Sequence, residues 1–144
     1  MLDFVTDRIA IGSAGAARFR ADEFDAVLDC AFEVPLVGGR PGLHLPLIDD
    51  DPIPERYLDR AIEFLDEHAG AGRRVLVHCM GGMSRSVSVV CAYLALREDA
   101  PLEEVLRRIQ LRRPLANPAE EVWASVERYV TGRRLNESSG SSGS

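Results

Sequence analysis

Residues 74–94 change their hydrophobic period midway, and that change restricts the fold more than any other feature of the chain. "RVLV" (74–77) is a short continuous apolar run, the pattern of a strand buried in a parallel sheet. Val87, Val90, Cys91 and Leu94 then recur at helical spacing. Between them, "HCMGGMSRS" (78–86) leaves room only for a tight loop. A buried strand that turns through glycines into a helix is the unit of which open α/β sheets are made.

The rest of the chain extends this pattern. "FVTDRIAIG" (4–12) reads as one or two short strands closed by Gly12, and "AGAARFRADEF" as a short helix. "DAVLDCA" (25–31) and "LHLPL" (43–47) read as strands on either side of the loop "VPLVGGRPG". Leu58, Ala61, Ile62 and Leu65 mark one face of a helix opened by Pro54 and ended near Gly70 and Gly72. Leu102, Val105, Leu106 and Ile109 mark another, and Val122, Val126, Tyr129 and Val130 the last. The expectation is a single α/β domain over 1–135: a central mixed, mostly parallel sheet of about five strands with helices on both faces. "NESSGSSGS" (136–144) is serine- and glycine-rich and is expected to be a disordered tail.

Composition excludes several functions. At 144 residues the chain can bury a core without metal or disulfide help. The net charge of -6 argues against nucleic acid as a partner. No apolar run is long enough for a membrane span, and no signal-peptide pattern opens the chain. All 17 basic residues are arginine, which excludes a lysine-dependent nucleotide loop and Schiff-base chemistry. Cys30, Cys79 and Cys91 are odd in number and lack C-x-x-C spacing, which favours a reducing, cytoplasmic setting. The three histidines, His44, His68 and His78, form no ligand pairs with them, so a zinc site is not expected.

The loop itself suits a tetrahedral dianion. Cys79 stands just past the carboxyl end of its strand, the edge at which open α/β sheets bind ligands. Gly81 and Gly82 permit unusual backbone angles, so that successive N–H groups of residues 80–85 can point inward at the start of a helix. Arg85 adds a planar fork for two oxygens. The same positive surroundings favour the Cys79 thiolate, which places a nucleophile beneath a bound phosphate.

These residues, His78, Cys79, Gly82, Ser84, Arg85 and Ser86, resemble the H-C-x-x-G-x-x-R-S signature of the cysteine-based protein phosphatases, closest to the dual-specificity branch. Gly81 stands where that branch usually has alanine. Weaker likeness extends through "RIAIGSA", "VLDCAFEVP", "PLIDDD", "VVCAYL" and "RRP". Rhodanese-like domains and arsenate reductases also carry cysteine-anchored anion loops. Neither accounts together for the histidine, the following serine, the mid-chain location and the upstream acid.

The resemblance implies a phosphatase-like fold and hydrolysis of phosphotyrosine and phosphoserine or phosphothreonine through a phosphocysteine. Cys79 would be the nucleophile, Arg85 the phosphate clamp, and Met80, Gly81, Gly82, Met83, Ser84 and Arg85 the phosphate loop. Ser86 would help the thiolate leave, His78 would tune it, and Ser84 would brace the loop. The proton donor would be an aspartate of "PLIDDD": Asp49 by alignment, with Asp50 next and Asp51 also adjacent. No metal or other cofactor is implied. Cys30 and Cys91 read as core, and either could pair with Cys79 if geometry allows. Asn117 fits either a brace on the loop or an N-cap, with Pro118 first in the helix and Glu120 completing a capping box. Arg107, Arg108, Arg112 and Arg113 fit a solvated helix face or an attraction for acidic substrates.

Uncharged Met80, Gly81 and Met83 disfavour phosphoinositides, and Met83 offers an apolar contact to substrate. The stretch before Asp49 is too short for the recognition elements of classical tyrosine phosphatases. The expected partner is a phosphorylated protein or peptide, met by a monomer, with no nucleic acid and no membrane. The alternatives are a phosphatase of a non-protein phosphoester and a phospho-binding pseudophosphatase module.

Overall fold

The computed structural model describes residues 1–142, with side-chain surroundings through Glu137. Strands β1 (Leu2–Phe4), β2 (Ile9–Gly12), β3 (Ala26–Asp29), β4 (Gly42–His44) and β5 (Val75–His78) form one sheet in the order β1-β2-β5-β3-β4. β1 pairs antiparallel with β2, and every other neighbour is parallel. The helices are α1 (Ala14–Arg20), α2 (Glu55–His68), α3 (Arg85–Glu98), α4 (Leu102–Arg112) and α5 (Glu120–Ser142). This is the α/β arrangement expected from the alternating periods.

Strand alternation divides the core in two. Ala10, Val27 and Leu76 face the side where Ala17, Ala21 and Phe24 pack, under α1. Ile9, Ile11, Ala26, Leu28, Val75 and Val77 face the larger core shared with α2–α5. The two faces are therefore covered unequally, by one short helix and by four. α3 is buried on every side from Arg85 to Ala95, because α2, α4 and α5 surround it on the sheet. Its expected stripe is only part of its buried surface. Each buried valine or leucine contributes about 1.5–3 kcal/mol, so the position of this helix, and of the loop feeding it, is strongly held.

Two local differences from the sequence reading have physical causes. The strand expected over 43–47 stops at His44; Leu45 still donates to Asp29 O at 2.8 Å, but Pro46 has no N–H to continue the ladder. α5 starts at Glu120, and its first turn closes from Trp123 N to Ala119 O, so Ala119 and not Asn117 holds the capping position. α5 continues past 136, where the sequence suggested a disordered tail, and residues 143–144 of that tail lie outside the described residues. Among the described residues no helix is long and apolar enough to cross a membrane.

Candidate active site

β5 lies between β2 and β3, and His78 stands in register with Gly12 on one side and Asp29 on the other. The residue after β5, Cys79, therefore emerges at the carboxyl edge of the middle of the sheet, flanked on both sides.

The loop from 79 to 84 is held by its carbonyls. Cys79 O accepts from His78 Nδ1 at 3.3 Å, and Met80 O accepts from Ala14 N at 2.9 Å. Gly81 O and Gly82 O accept from Arg113 Nη2 and Nε at 3.2 and 2.7 Å. Met83 O accepts from Asn117 N at 2.8 Å. Each of these acceptors faces the surrounding protein. Across a trans peptide the N–H of the next residue points the opposite way, which leaves the N–H groups of 80–84 directed into the loop. Gly82 makes this possible: its φ is +69°, and a Cβ there would come within 2.5 Å of Gly12 O. Gly81 is a correction to the sequence reading, since it has no positive φ and a Cβ would meet only the Met83 side chain, at 3.6 Å. Alanine fits there.

Arg85 begins α3 and is 2 % exposed. Its Nη1 donates to Glu33 Oε1 at 2.7 Å and to Leu47 O at 2.9 Å, and its Nη2 donates to Glu33 Oε2 at 2.8 Å. Guanidinium carries five N–H groups. Three are committed, and the two left, on Nε and Nη2, share one edge, which can meet two oxygens of one anion. Nε has no protein hydrogen-bond partner and stands 3.9 Å from Asp49 Oδ1. The Arg85 bond holds the Glu33 carboxyl down at about 2, and Glu33 raises the Arg85 guanidinium in return.

Asp49 alone of the three consecutive aspartates approaches Arg85. Its Oδ1 accepts from Asp50 N at 3.1 Å, and Asp50 takes a left-handed φ of 65° that turns the chain away. Asp51 N closes this turn onto Ile48 O. Cys79 is buried, with Sγ 3.2 Å from Ser86 Oγ, so an ionised sulfur would accept from that hydroxyl. Ser84 Oγ accepts from Ala119 N at 2.8 Å and ties the loop to the entry of α5. The Met80 and Met83 side chains are exposed at the rim. Asn117 is also exposed; it meets the loop through its backbone N–H, so neither reading of its side chain, brace or cap, describes its contact.

Two residues that act on the loop escape sequence reasoning. Glu33 lies 52 positions before Arg85, with no local pattern to mark it. Arg113 belongs to an arginine-rich run that reads as a solvated face or an attraction for acidic substrates, yet it is 2 % exposed and also donates to Asp3 Oδ2 at 2.8 Å. Its only available signal is its place at the end of α4, before Pro114. Arg108 pairs with Glu98, and Arg107 and Arg112 are exposed. All three cysteines are free. Burial pushes the Cys30 thiol up, and Cys91 to about 12.

The family model described as "Dual specificity phosphatase, catalytic domain" matches residues 11–131. Dual specificity protein phosphatase 1 of Arabidopsis thaliana is 41% identical over 69 residues, covering 48% of this chain and 35% of that protein. Dual specificity protein phosphatase 12 of Homo sapiens is 34% identical over 105 residues, covering 66% of this chain and 30% of that protein. The chain thus spans about a third of these curated relatives. Among solved structures, Tk-PTP in its active form superposes with a TM-score of 0.77 at 26% identity, over 90% of this chain and 96% of that one. Human DUSP28 gives a TM-score of 0.83 over 92% and 95%, and at 24% identity the likeness is one of fold.

Proposed function

The chain belongs to the family of dual-specificity phosphatase catalytic domains, and from that membership we propose that it hydrolyses phosphotyrosine and phosphoserine or phosphothreonine in proteins through a phosphocysteine. The observation that carries this is the loop whose carbonyls from Cys79 to Met83 are all taken from outside, above a buried thiol. The inward N–H groups and the free edge of Arg85 receive the three non-bridging oxygens. Charge that develops there is met by donors already in position.

In the first step the Cys79 thiolate attacks phosphorus, the S–P bond forms, and the P–O bond to the substrate breaks. Asp49, the aspartate next to Arg85, gives its proton to the departing oxygen. In the second step Asp49 takes a proton from water, which attacks phosphorus. Sulfur leaves as a thiolate accepting from Ser86. Splitting the reaction in this way replaces one high barrier with two lower ones. No step calls for a metal. Ser84, His78, Glu33 and Arg113 position the loop and the clamp.

The exposed side chains of Phe32, Ile48, Met80 and Met83, on segments that meet at Arg85 and Cys79, give the substrate apolar contact. Residues 1–135 form the catalytic domain, which acts as a monomer in the cytoplasm; its free thiols suit a reducing compartment. The test is hydrolysis of an aryl phosphate by wild type and by Cys79→Ser. The variant is expected to lose turnover and to retain phosphate binding, because the loop carbonyls and Arg85 are untouched. Turnover by purified Cys79→Ser would remove the covalent mechanism.

A further inference from the structure

Beneath the phosphate loop, His78, which positions the loop, stands near a buried carboxylate that the mechanism does not use. Asp29 ends β3 and His78 ends β5; they are register partners on adjacent parallel strands, and both are 0 % exposed. Asp29 is not part of the signature around Cys79.

The hydrogen bonds decide where protons sit. His78 Nδ1 faces Cys79 O at 3.3 Å, and a carbonyl only accepts, so Nδ1 carries hydrogen. That leaves Nε2, which has no hydrogen-bond partner and lies 4.0 Å from Asp29 Oδ1. Asp29 Oδ1 accepts from Ala31 N at 2.9 Å, while Oδ2 has no partner and lies 3.7 Å from His44 Nε2. That nitrogen stands 2.8 Å from Ala31 O, to which it donates. A buried carboxylate with a single N–H donor is costly, and so is an imidazole nitrogen whose lone pair accepts no hydrogen bond. At 4.0 Å the two groups close no hydrogen bond, but one proton held by either of them leaves the pair without net charge and lowers the cost of burying it.

We propose that Asp29 is a positioning residue for Cys79: through His78 it holds one proton under the phosphate loop, and loss of that proton hinders formation of the thiolate. The inference rests on the reading of Cys79 as the nucleophile. With the proton present the pair has no net charge, whether it is carboxylic acid with imidazole or carboxylate with imidazolium. When the proton goes to solvent, one negative charge remains at the end of β3, beside the strand that leads to Cys79, and it opposes a second negative charge on sulfur.

The other groups facing Asp29 are His44 from β4, Arg85 from α3, and Glu33 and the Cys30 thiol from its own segment. Arg85 is already matched by Glu33. His68 of α2 lines a pocket with Asp25, at the opposite end of β3. Burial raises the Asp29 carboxyl to about 6 and lowers His78, each toward its uncharged form.

The test compares wild type with Asp29→Asn, whose amide oxygen keeps the bond from Ala31 N and which has no proton to lose. The rate of Cys79 alkylation by iodoacetamide is followed against pH, with the modified cysteine identified by peptide mass. Removal of the buried charge is expected to move the alkylation profile to lower pH by about one unit, or about tenfold in rate on its rising limb, and to remove an inflection near 6 from the wild-type profile of kcat/KM. Superimposable profiles for two folded proteins would overturn the proposal. Should Asp29→Asn not fold, the wild type still decides: the Asp29 carboxyl carbon and the His78 ring nitrogens must titrate together by NMR, and independent titration overturns the pairing. A wild type without turnover but with the alkylation shift would support the pairing while refuting the phosphatase reading. Turnover with no shift would refute the pairing alone.

Discussion

Replacing Glu33 by glutamine should loosen the clamp without altering any group that contacts phosphate. Arg85 is 2 % exposed, and two of its three protein hydrogen bonds end on the Glu33 carboxylate, at 2.7 and 2.8 Å. Glutamine keeps one acceptor and turns an NH2 toward the other nitrogen, so one bond is lost and the second loses its charge. The carboxyl is held at about 2 against an ordinary 4.5; at about 1.4 kcal/mol per unit this is about 3 kcal/mol. Solvent reaches 36% of the Glu33 side chain, and screening reduces the figure to about 1–2 kcal/mol. Because the folded-state value lies below the unfolded one, this stability is fully present above about 4.5 and disappears as pH falls through about 2.

Urea unfolding at neutral pH should therefore show Glu33→Gln less stable by about 1–2 kcal/mol, with the gap narrowing toward pH 2. The freed guanidinium should also lose its fixed edge, raising the inhibition constant for orthophosphate by about tenfold, the equivalent of 1.4 kcal/mol. Equal stability and an equal inhibition constant would refute the argument that Glu33 orients Arg85.

The other predictions concern the acid and the outer brace. Asp49→Asn should slow phosphotyrosine peptides by about two to four orders of magnitude and activated aryl phosphates far less, since a good leaving group departs without a proton. Asp50→Asn and Asp51→Asn should leave that dependence unchanged; if Asp50→Asn shows it instead, the acid is one residue further on. Arg113→Leu removes the donors to Gly81 O and Gly82 O and leaves Asp3 unpaired. At about 1–3 kcal/mol for a buried unsatisfied group, a loss of about 2–4 kcal/mol is expected in urea unfolding, together with weaker orthophosphate inhibition. Wild-type values for both would show that the loop holds its shape without Arg113.

The sequence by itself determined the unit on which everything rests. A continuous apolar run, a loop with glycine, and a helical stripe placed Cys79 and Arg85 at the carboxyl edge of a parallel sheet, and the order of residues in 78–86 carried the family likeness. These features are local, and periodicity records them directly. Tertiary structure alone decided what closes on that loop. Glu33 reaches Arg85 across 52 positions and Arg113 reaches Gly82 across 31, while Asp3 reaches Arg113 across 110. Such pairings depend on which strands become neighbours, and no spacing along the chain encodes that. Arginines offered no help, because an exposed Arg112 and a buried Arg113 are identical in sequence character and differ only in what the end of α4 packs against. Among Asp49, Asp50 and Asp51 the sequence allowed three acids; the turn at 48–51, with its left-handed Asp50, brought one of them to Arg85. Asp29 was legible only as a strand residue until β3 paired with β5 and set its carboxyl against His78, away from water.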